Sequence, residues 1–398
     1  MTGPLDGIRI LEIANYVAAP AVGALMRDLG ADVIKLEPPG GDVLRGAMTP
    51  GAGSYHVNFL FELENRGKRS ITVALDRPGA RELVYDLLAG CDVLLTNLLA
   101  PRLDRYGLSQ AEVLERHPHL IHCSITGYGL GGPDAARPGF DFAAFWARAG
   151  IMSLVGHPGQ PPVLSRIAQG DHTTAMNALA AVFAALRLRD LTGKGQAVQV
   201  SLQQTGLYTV ATDVVRTLMD GKQPARLDRE APNNPMFNTY ETADGDWVLL
   251  VHMTPDPYWS KLCAAIDRPD LDCEENRTMR QRMARGPELG GEIEAAIRRH
   301  PMDHWRRTFD DHGLIWAPMT ELPDVVNDPA LRELNAIQAI DHPDGTFETV
   351  GVPFFIEGAD VAVRGRSPEA GEHTVQVLRE AGIGEERVAE LAAAGVFG

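Results

Sequence analysis

Ile8-Arg9-Ile10-Leu11-Glu12-Ile13, Pro20-Ala21-Val22-Gly23-Ala24-Leu25-Met26-Arg27-Asp28-Leu29 and Asp32-Val33-Ile34-Lys35-Leu36 follow one another with only short breaks. The first and third runs are β-branched and apolar, as buried strands are. The middle run puts Val22, Leu25, Met26 and Leu29 on one helical face. Strand, helix and strand in such quick succession predict a βαβ unit.

Working outward, further strands are expected at 70–75, 92–96 and 120–126, with helices at 79–88 and 109–115. Near-continuous Val/Ile/Leu strands alternating with helices indicate a buried parallel sheet, hence an open α/β fold. The longest helical pattern spans 171–188, through Ala175, Met176, Leu179, Val182, Phe183 and Leu186, and Thr192-Gly193-Lys194-Gly195 ends it. A strand at 197–202 follows. Polar, proline-bearing sequence at 221–234 marks a change of character, and a hairpin is expected over 239–251 around Ala243-Asp244-Gly245-Asp246. We therefore expect a large α/β domain from residues 1–220 and 329–398 and a smaller domain at 221–328. The tail is read as helical over 371–394.

The chain of 398 residues carries a formal net charge of −16. That argues against a nucleic-acid-binding face or a polybasic membrane patch, though local arginines and backbone N–H groups can still hold an anionic ligand. No apolar run reaches the roughly 18 residues of a membrane span. The opening Met1-Thr2-Gly3-Pro4 lacks a leader's basic start and apolar core. The four cysteines form no C-x-x-C pair, and together these features predict a cytoplasmic protein.

Gly127-Tyr128-Gly129-Leu130-Gly131-Gly132 fits G-x-G-x-x-G behind a strand. Pro133-Asp134 and Arg137-Pro138 follow, where a dinucleotide site needs a helix, so a loop is expected and NAD is set aside. His117, His119, His122 and Cys123 lack a carboxylate at ligand spacing, and the histidines are read as solvated loop residues rather than metal ligands. Gly170-Asp171 opens the longest helix. Asp is a preferred N-cap, yet a carboxylate at a helix N-terminus is also stabilised as an anion and available as a nucleophile. Position alone leaves both readings open.

Ordered blocks along the chain carry a resemblance. They include Pro4-Leu5-Asp6-Gly7-Ile8-Arg9-Ile10-Leu11-Glu12, Leu29-Gly30-Ala31-Asp32-Val33-Ile34-Lys35-Leu36-Glu37 and Asn65-Arg66-Gly67-Lys68-Arg69-Ser70. Asp92-Val93-Leu94-Leu95-Thr96-Asn97, Arg105-Tyr106-Gly107, Arg137-Pro138-Gly139-Phe140-Asp141, Gly170-Asp171 and Thr192-Gly193-Lys194-Gly195-Gln196 extend it. The sequence resembles the class III CoA-transferases, the CaiB/BaiF family, which includes formyl-CoA transferase, carnitine CoA-transferase and α-methylacyl-CoA racemases. The resemblance implies a Rossmann-like large domain made from both ends of the chain, a smaller domain inserted in it, and an interlocked homodimer. It implies acyl-CoA and a carboxylic acid as substrates, with no tightly bound cofactor and no metal. It also implies Asp171 as a nucleophile that carries aspartyl intermediates, and Asp141 as a second acid that is either supporting or structural. The CoA contacts it implies are Val17, Ala18, Leu75, Asp76, Arg77, Asn97, Leu98, Arg105, Arg137, Pro138, Gly139 and Phe140.

Departures are informative. Val17 stands where formyl-CoA transferase has Gln, Pro38 where it has Arg, and residues 231–238 contain no glycine where its site has a glycine-rich loop. The racemase histidine position holds Phe140, which cannot carry a proton, and the racemase glutamate aligns with Thr254. Racemisation and silent acyl-CoA binding are the alternatives to transfer.

Overall fold

A computed structural model describes residues 2–46 and 55–397. The chain divides into two compact units, one of residues 1–152, 164–222 and 329–398, the other of residues 153–163 and 223–328. Residues 153–163, assigned above to the larger domain, group with the second unit instead. They run from the end of a short helix, Ile151–Leu154, into bends and turns anchored there, as where Arg226 donates to the carbonyls of Ser153 and His157.

In the first unit, β1 (Arg9–Ile13), β2 (Asp32–Glu37), β3 (Arg69–Thr72), β4 (Val93–Thr96), β5 (Ile121–Thr126) and β6 (Ala197–Ser201) form one sheet, ordered β3-β2-β1-β4-β5-β6. Every pairing is parallel. This is the order of a dinucleotide-type doubly wound sheet, in which the strand order, not the strand direction, reverses between β1 and β4. Side chains alternate across each strand, so Ile10 and Leu11 enter different cores. Ile10, Val33, Leu95 and Ile125 pack against α1 (Ala18–Asp28) and the long α3 (Gln169–Thr192). Leu11, Ile34, Ile71 and Leu94 pack against Leu83, Val84 and Leu87 of the helix at Ala80–Leu88. The α3 surface at this contact is small: Ala175, Ala178, Val182 and Ala185 are all buried.

Charged residues sit inside as well. Glu12 on β1 is wholly buried and accepts from Lys35 Nζ at 3.0 Å and Lys68 Nζ at 2.7 Å. Lys35 also meets Asp42 at 2.8 Å. Gly23 of α1 lies directly over this cluster, since a Cβ there would fall 2.1 Å from Glu12 Oε2. Burial pulls the Lys68 ammonium down to about 8, against the pull of Glu12. Burial also acts on Lys35, but Glu12 and Asp42 outweigh it and hold that ammonium above its ordinary value. A third helix, α2 (Phe59–Asn65), completes this side, with Asn65 Oδ1 accepting from Lys68 at 3.0 Å.

Two sequence expectations need correcting here. His122 is no solvated loop residue: it lies wholly buried in β5, 3.0 Å from the Leu108 carbonyl, because a strand flanked by apolar neighbours carries it inward. Cys123 beside it is buried too. The tail makes two helices, Thr374–Glu380 and Glu385–Ala393, broken around Gly382 at φ 73°.

The second unit has its own sheet of β7 (Phe237–Glu241), β8 (Trp247–Val251) and β9 (Trp316–Pro318), antiparallel throughout. Its core centres on Tyr240, Leu250, Trp259, Ile293, Trp305 and Phe309. Among the described residues, no helix is long and apolar enough to cross a membrane.

Candidate active site

A cavity of about 390 Å³ opens at the carboxyl ends of β1, β4 and β5. Asn15, Tyr16, Val17 and Ala18 follow β1, Asn97, Leu98 and Leu99 follow β4, and Thr126 and Gly127 close β5. Loops leaving adjacent strands in opposite directions necessarily leave a crevice, and ligands of open α/β sheets bind there.

Two tight features shape the rim. Tyr16 adopts φ 63°, a left-handed conformation costing roughly 1–2 kcal/mol in a residue with a Cβ. Such strain is concentrated at functional sites. Its ring meets Phe140 edge-on, with centroids 5.3 Å apart. Gly127 and Gly139 cross backbone to backbone; a Cβ on Gly127 would lie 2.8 Å from the Gly139 Cα. The G-x-G-x-x-G run thus begins with a glycine needed for chain crossing. Behind it the backbone continues through bends and turns to residue 138, without the helix a pyrophosphate site requires.

Asp171 lines the cavity from the first turn of α3. It is not the N-cap. That position is Ala168, at φ 67° and without a side-chain cap, so the helix starts two residues earlier than the pattern indicated. Among the described residues no hydrogen bond engages the Asp171 carboxyl. Burial, with the nearby charges of Asp141 and Glu64, pushes it up to about 7, and His172 opposes them.

Asp141 is buried at the start of a short π-helical turn, Phe142–Ala147. Its Oδ1 accepts from the Gly170 N–H at 3.2 Å. Its Oδ2 and the Trp146 Nε1 are both buried, and Trp146 and the Ala168 N–H act with Gly170 to favour the anion. Burial raises Asp141 above the usual carboxylate range, against the Gly170 N–H. Gly170 has no room for a side chain, because a Cβ would sit 2.2 Å from Asp141 Oδ1 and 2.3 Å from the Phe145 ring. Gly170→Ala is therefore expected to cost about 1–3 kcal/mol through overpacking and to displace Asp141. Thermal melts and substrate turnover measured on one preparation check both effects, and a variant with unchanged melting would refute the crowding.

His172 is the next residue along α3. Its Nε2 lies 2.8 Å from Oε1 of Glu64, a buried carboxylate on α2. The bond to Glu64 raises His172 above the ordinary imidazole range.

Of the residues singled out in the sequence, Val17, Ala18, Asn97, Leu98, Pro138, Gly139, Phe140 and Asp171 line this one cavity. Leu75, Asp76, Arg77, Arg105 and Arg137 are not part of its lining. Leu75 packs on the core, and Arg137 pairs with Asp134 at 3.3 Å. Tyr16 and Arg102 belong to the lining and were not picked out, and Thr126 and Gly127, the latter read only as part of a loop, line it too. Their signal was position: each stands at or just beyond a strand end beside the switch point, which becomes readable only once strand order is known.

Comparison with known proteins agrees with this geometry. The sequence model of CoA-transferase family III matches residues 5–374. The chain is 31% identical over 398 residues to cinnamoyl-CoA:phenyllactate CoA-transferase of Clostridium sporogenes, covering 98% of this chain and 96% of that one. It is 29% identical to (R)-2-hydroxy-4-methylpentanoate CoA-transferase of Clostridioides difficile, covering 96% and 97%. A solved CaiB/BaiF family protein from Brucella suis superposes with a TM-score of 0.83 at 32% identity, over 96% of this chain and all of that one. With a matching fold, full-length coverage and a cavity at the switch point, the chain belongs to CoA-transferase family III.

Proposed function

We propose that this protein moves coenzyme A from an acyl-CoA donor to a carboxylic acid acceptor through covalent intermediates on Asp171. The observation that carries this reading is an unbonded, partly buried carboxyl on the cavity wall, pushed up to about 7. Ionised in such surroundings, a carboxylate is poorly solvated and correspondingly reactive.

An Asp171 oxygen attacks the thioester carbonyl carbon; a C–O bond forms, the C–S bond breaks and CoA leaves as thiolate. The thiolate then attacks the Asp171 carbonyl carbon, freeing the donor acid and leaving an aspartyl-CoA thioester. The acceptor carboxylate attacks that thioester, giving a second mixed anhydride and thiolate. Attack of the thiolate on the acceptor's acyl carbon yields the new acyl-CoA and restores Asp171. No water and no net proton are consumed.

Arg102 at the cavity and Arg105, one helical turn on, make no ion pair among the described residues. Guanidinium groups so placed suit the nucleotide phosphates of CoA. Val17, Ala18, Asn97, Leu98 and the 137–140 segment would hold the rest of the carrier, and Asp141 would support Asp171 through Gly170. The relatives named above act on phenyllactate and on 2-hydroxy-4-methylpentanoate, which makes 2-hydroxy acids the first acceptors to try. Proton exchange at the α-carbon finds no support: Phe140 fills the place of the second acid/base group and packs against Tyr16. The family resemblance supports an interlocked homodimer, and the scattered cysteines support a cytoplasmic one.

The test is peptide mass spectrometry after incubation with cinnamoyl-CoA, succinyl-CoA and 4-methylpentanoyl-CoA, with and without hydroxylamine. A hydroxylamine-sensitive adduct on Asp171 is expected; CoA binding with no adduct from any thioester would overturn the covalent route. Because attack needs the ionised carboxyl, the rate of labelling should fall as pH drops through about 7. A rate that stays level down to pH 5 would mean the carboxyl is not perturbed.

A further inference from the structure

Asp171 is one of three carboxylates drawn together from different parts of the chain. Asp141 approaches from the π-helical turn and Glu64 from α2, and each adds to the cost of ionising Asp171. The cation that acts on Asp171 is His172, the next residue along α3. It is tied at 2.8 Å to Glu64, whose side chain is only 3% exposed while that of His172 is 46% exposed. A buried carboxylate with a solvent-facing imidazole clamped on it is a dyad that keeps the imidazole both oriented and cationic. Lys68 also acts on Glu64 from the sheet side, but it is already bound to Glu12, Asn65 and the Pro20 carbonyl.

We infer that the Glu64–His172 pair is a positioning device for the reaction, holding an imidazolium beside Asp171 so that its carboxylate forms against two neighbouring carboxylates. This rests on Asp171 being the nucleophile. Glu64 contributes twice and in opposite senses: its own charge opposes ionisation of Asp171, while its bond to His172 supplies the counter-charge. Without the imidazolium, Asp171 would face Asp141 and Glu64 unopposed.

The experiment follows the pH dependence of Asp171 labelling, using whichever of the three acyl-CoAs labels the wild type. In His172→Gln the acid limb should move to higher pH by about half a unit or more, so that labelling at pH 6.5 falls several-fold while the plateau above pH 8 changes little. His172→Lys restores a cation and should return the limb toward its wild-type position. An unmoved limb in His172→Gln, or an equal displacement in His172→Lys, overturns the inference. Imidazole ¹⁵N titration of the wild type, with the His172 signal assigned by its loss in His172→Lys, tests the same point even if His172→Gln does not fold. A His172 that is already neutral at pH 7 refutes it. Absence of any label on Asp171 in the wild type sinks the parent reading, whereas label with an unmoved limb sinks this one alone.

Discussion

Asp171→Asn should abolish adduct formation and lower CoA transfer by about 10⁴-fold or more, the scale seen when a nucleophile is removed, while making the protein more stable. The two effects share a cause. The folded carboxyl is pushed up to about 7, against an unfolded value near ~3.9, so the folded state binds this proton more tightly. The wild type suffers no penalty below pH ~4, where both states are protonated, and the full penalty once pH exceeds the folded value near 7. Asn carries no such cost. The variant's advantage should therefore grow as pH rises from 4 to 8, reaching at most about 4 kcal/mol at 1.36 kcal/mol per unit. Urea unfolding at pH 5 and pH 8 measures it. A gap that does not widen with pH would place the carboxyl in water, and would remove the physical reason for its reactivity.

The second large effect belongs to the buried charges. Glu12→Gln preserves volume but removes the anion shared by Lys35 and Lys68. Lys35 keeps Asp42, whereas Lys68 is left with only Asn65 Oδ1 and the Pro20 carbonyl. Breaking a buried pair by removing one partner costs about 3–5 kcal/mol. The urea midpoint should fall accordingly with an unchanged slope, and combining the change with Lys68→Met should recover part of the loss. A midpoint close to wild type would mean that water or rearrangement satisfies the lysines.

Much of the α/β unit can be read directly from the chain. The runs at 8–13 and 32–36 become β1 and β2 within a residue at each end, and the helix between them is α1. Apolar periodicity carries that information because burial on both sheet faces demands it. What periodicity does not carry is the environment of polar residues within those runs. Glu12, Lys35, Lys68 and His122 carry polar side chains into the interior, and each is inside because a partner from another strand or loop meets it there. Nor does periodicity locate a helix start set by backbone strain: Ala168, at φ 67°, offers no capping side chain, so Asp171 stood out as a cap although it lies in the first turn. The cavity residues divide in the same way. Asp171 and the 138–140 segment came through family resemblance. Tyr16 and Arg102 needed the strand order, which depends on long-range pairing that no local window contains.

Within that pairing, Glu12 stands opposite Lys35 in the ladder between β1 and β2, one step from Leu11 opposite Ile34. Sliding either strand by a single residue would turn its side chains to the other face. An ammonium or a carboxylate would then be stranded among Leu, Ile and Val with no counter-ion. Parallel strands rich in Val, Ile and Leu are otherwise close to interchangeable in alignment, since any offset buries similar apolar surface. The ion pair removes that degeneracy, making the misaligned sheet costly rather than merely less well packed. It thereby fixes where β1 ends, and with it where Tyr16 and the neighbouring cavity rim must fall.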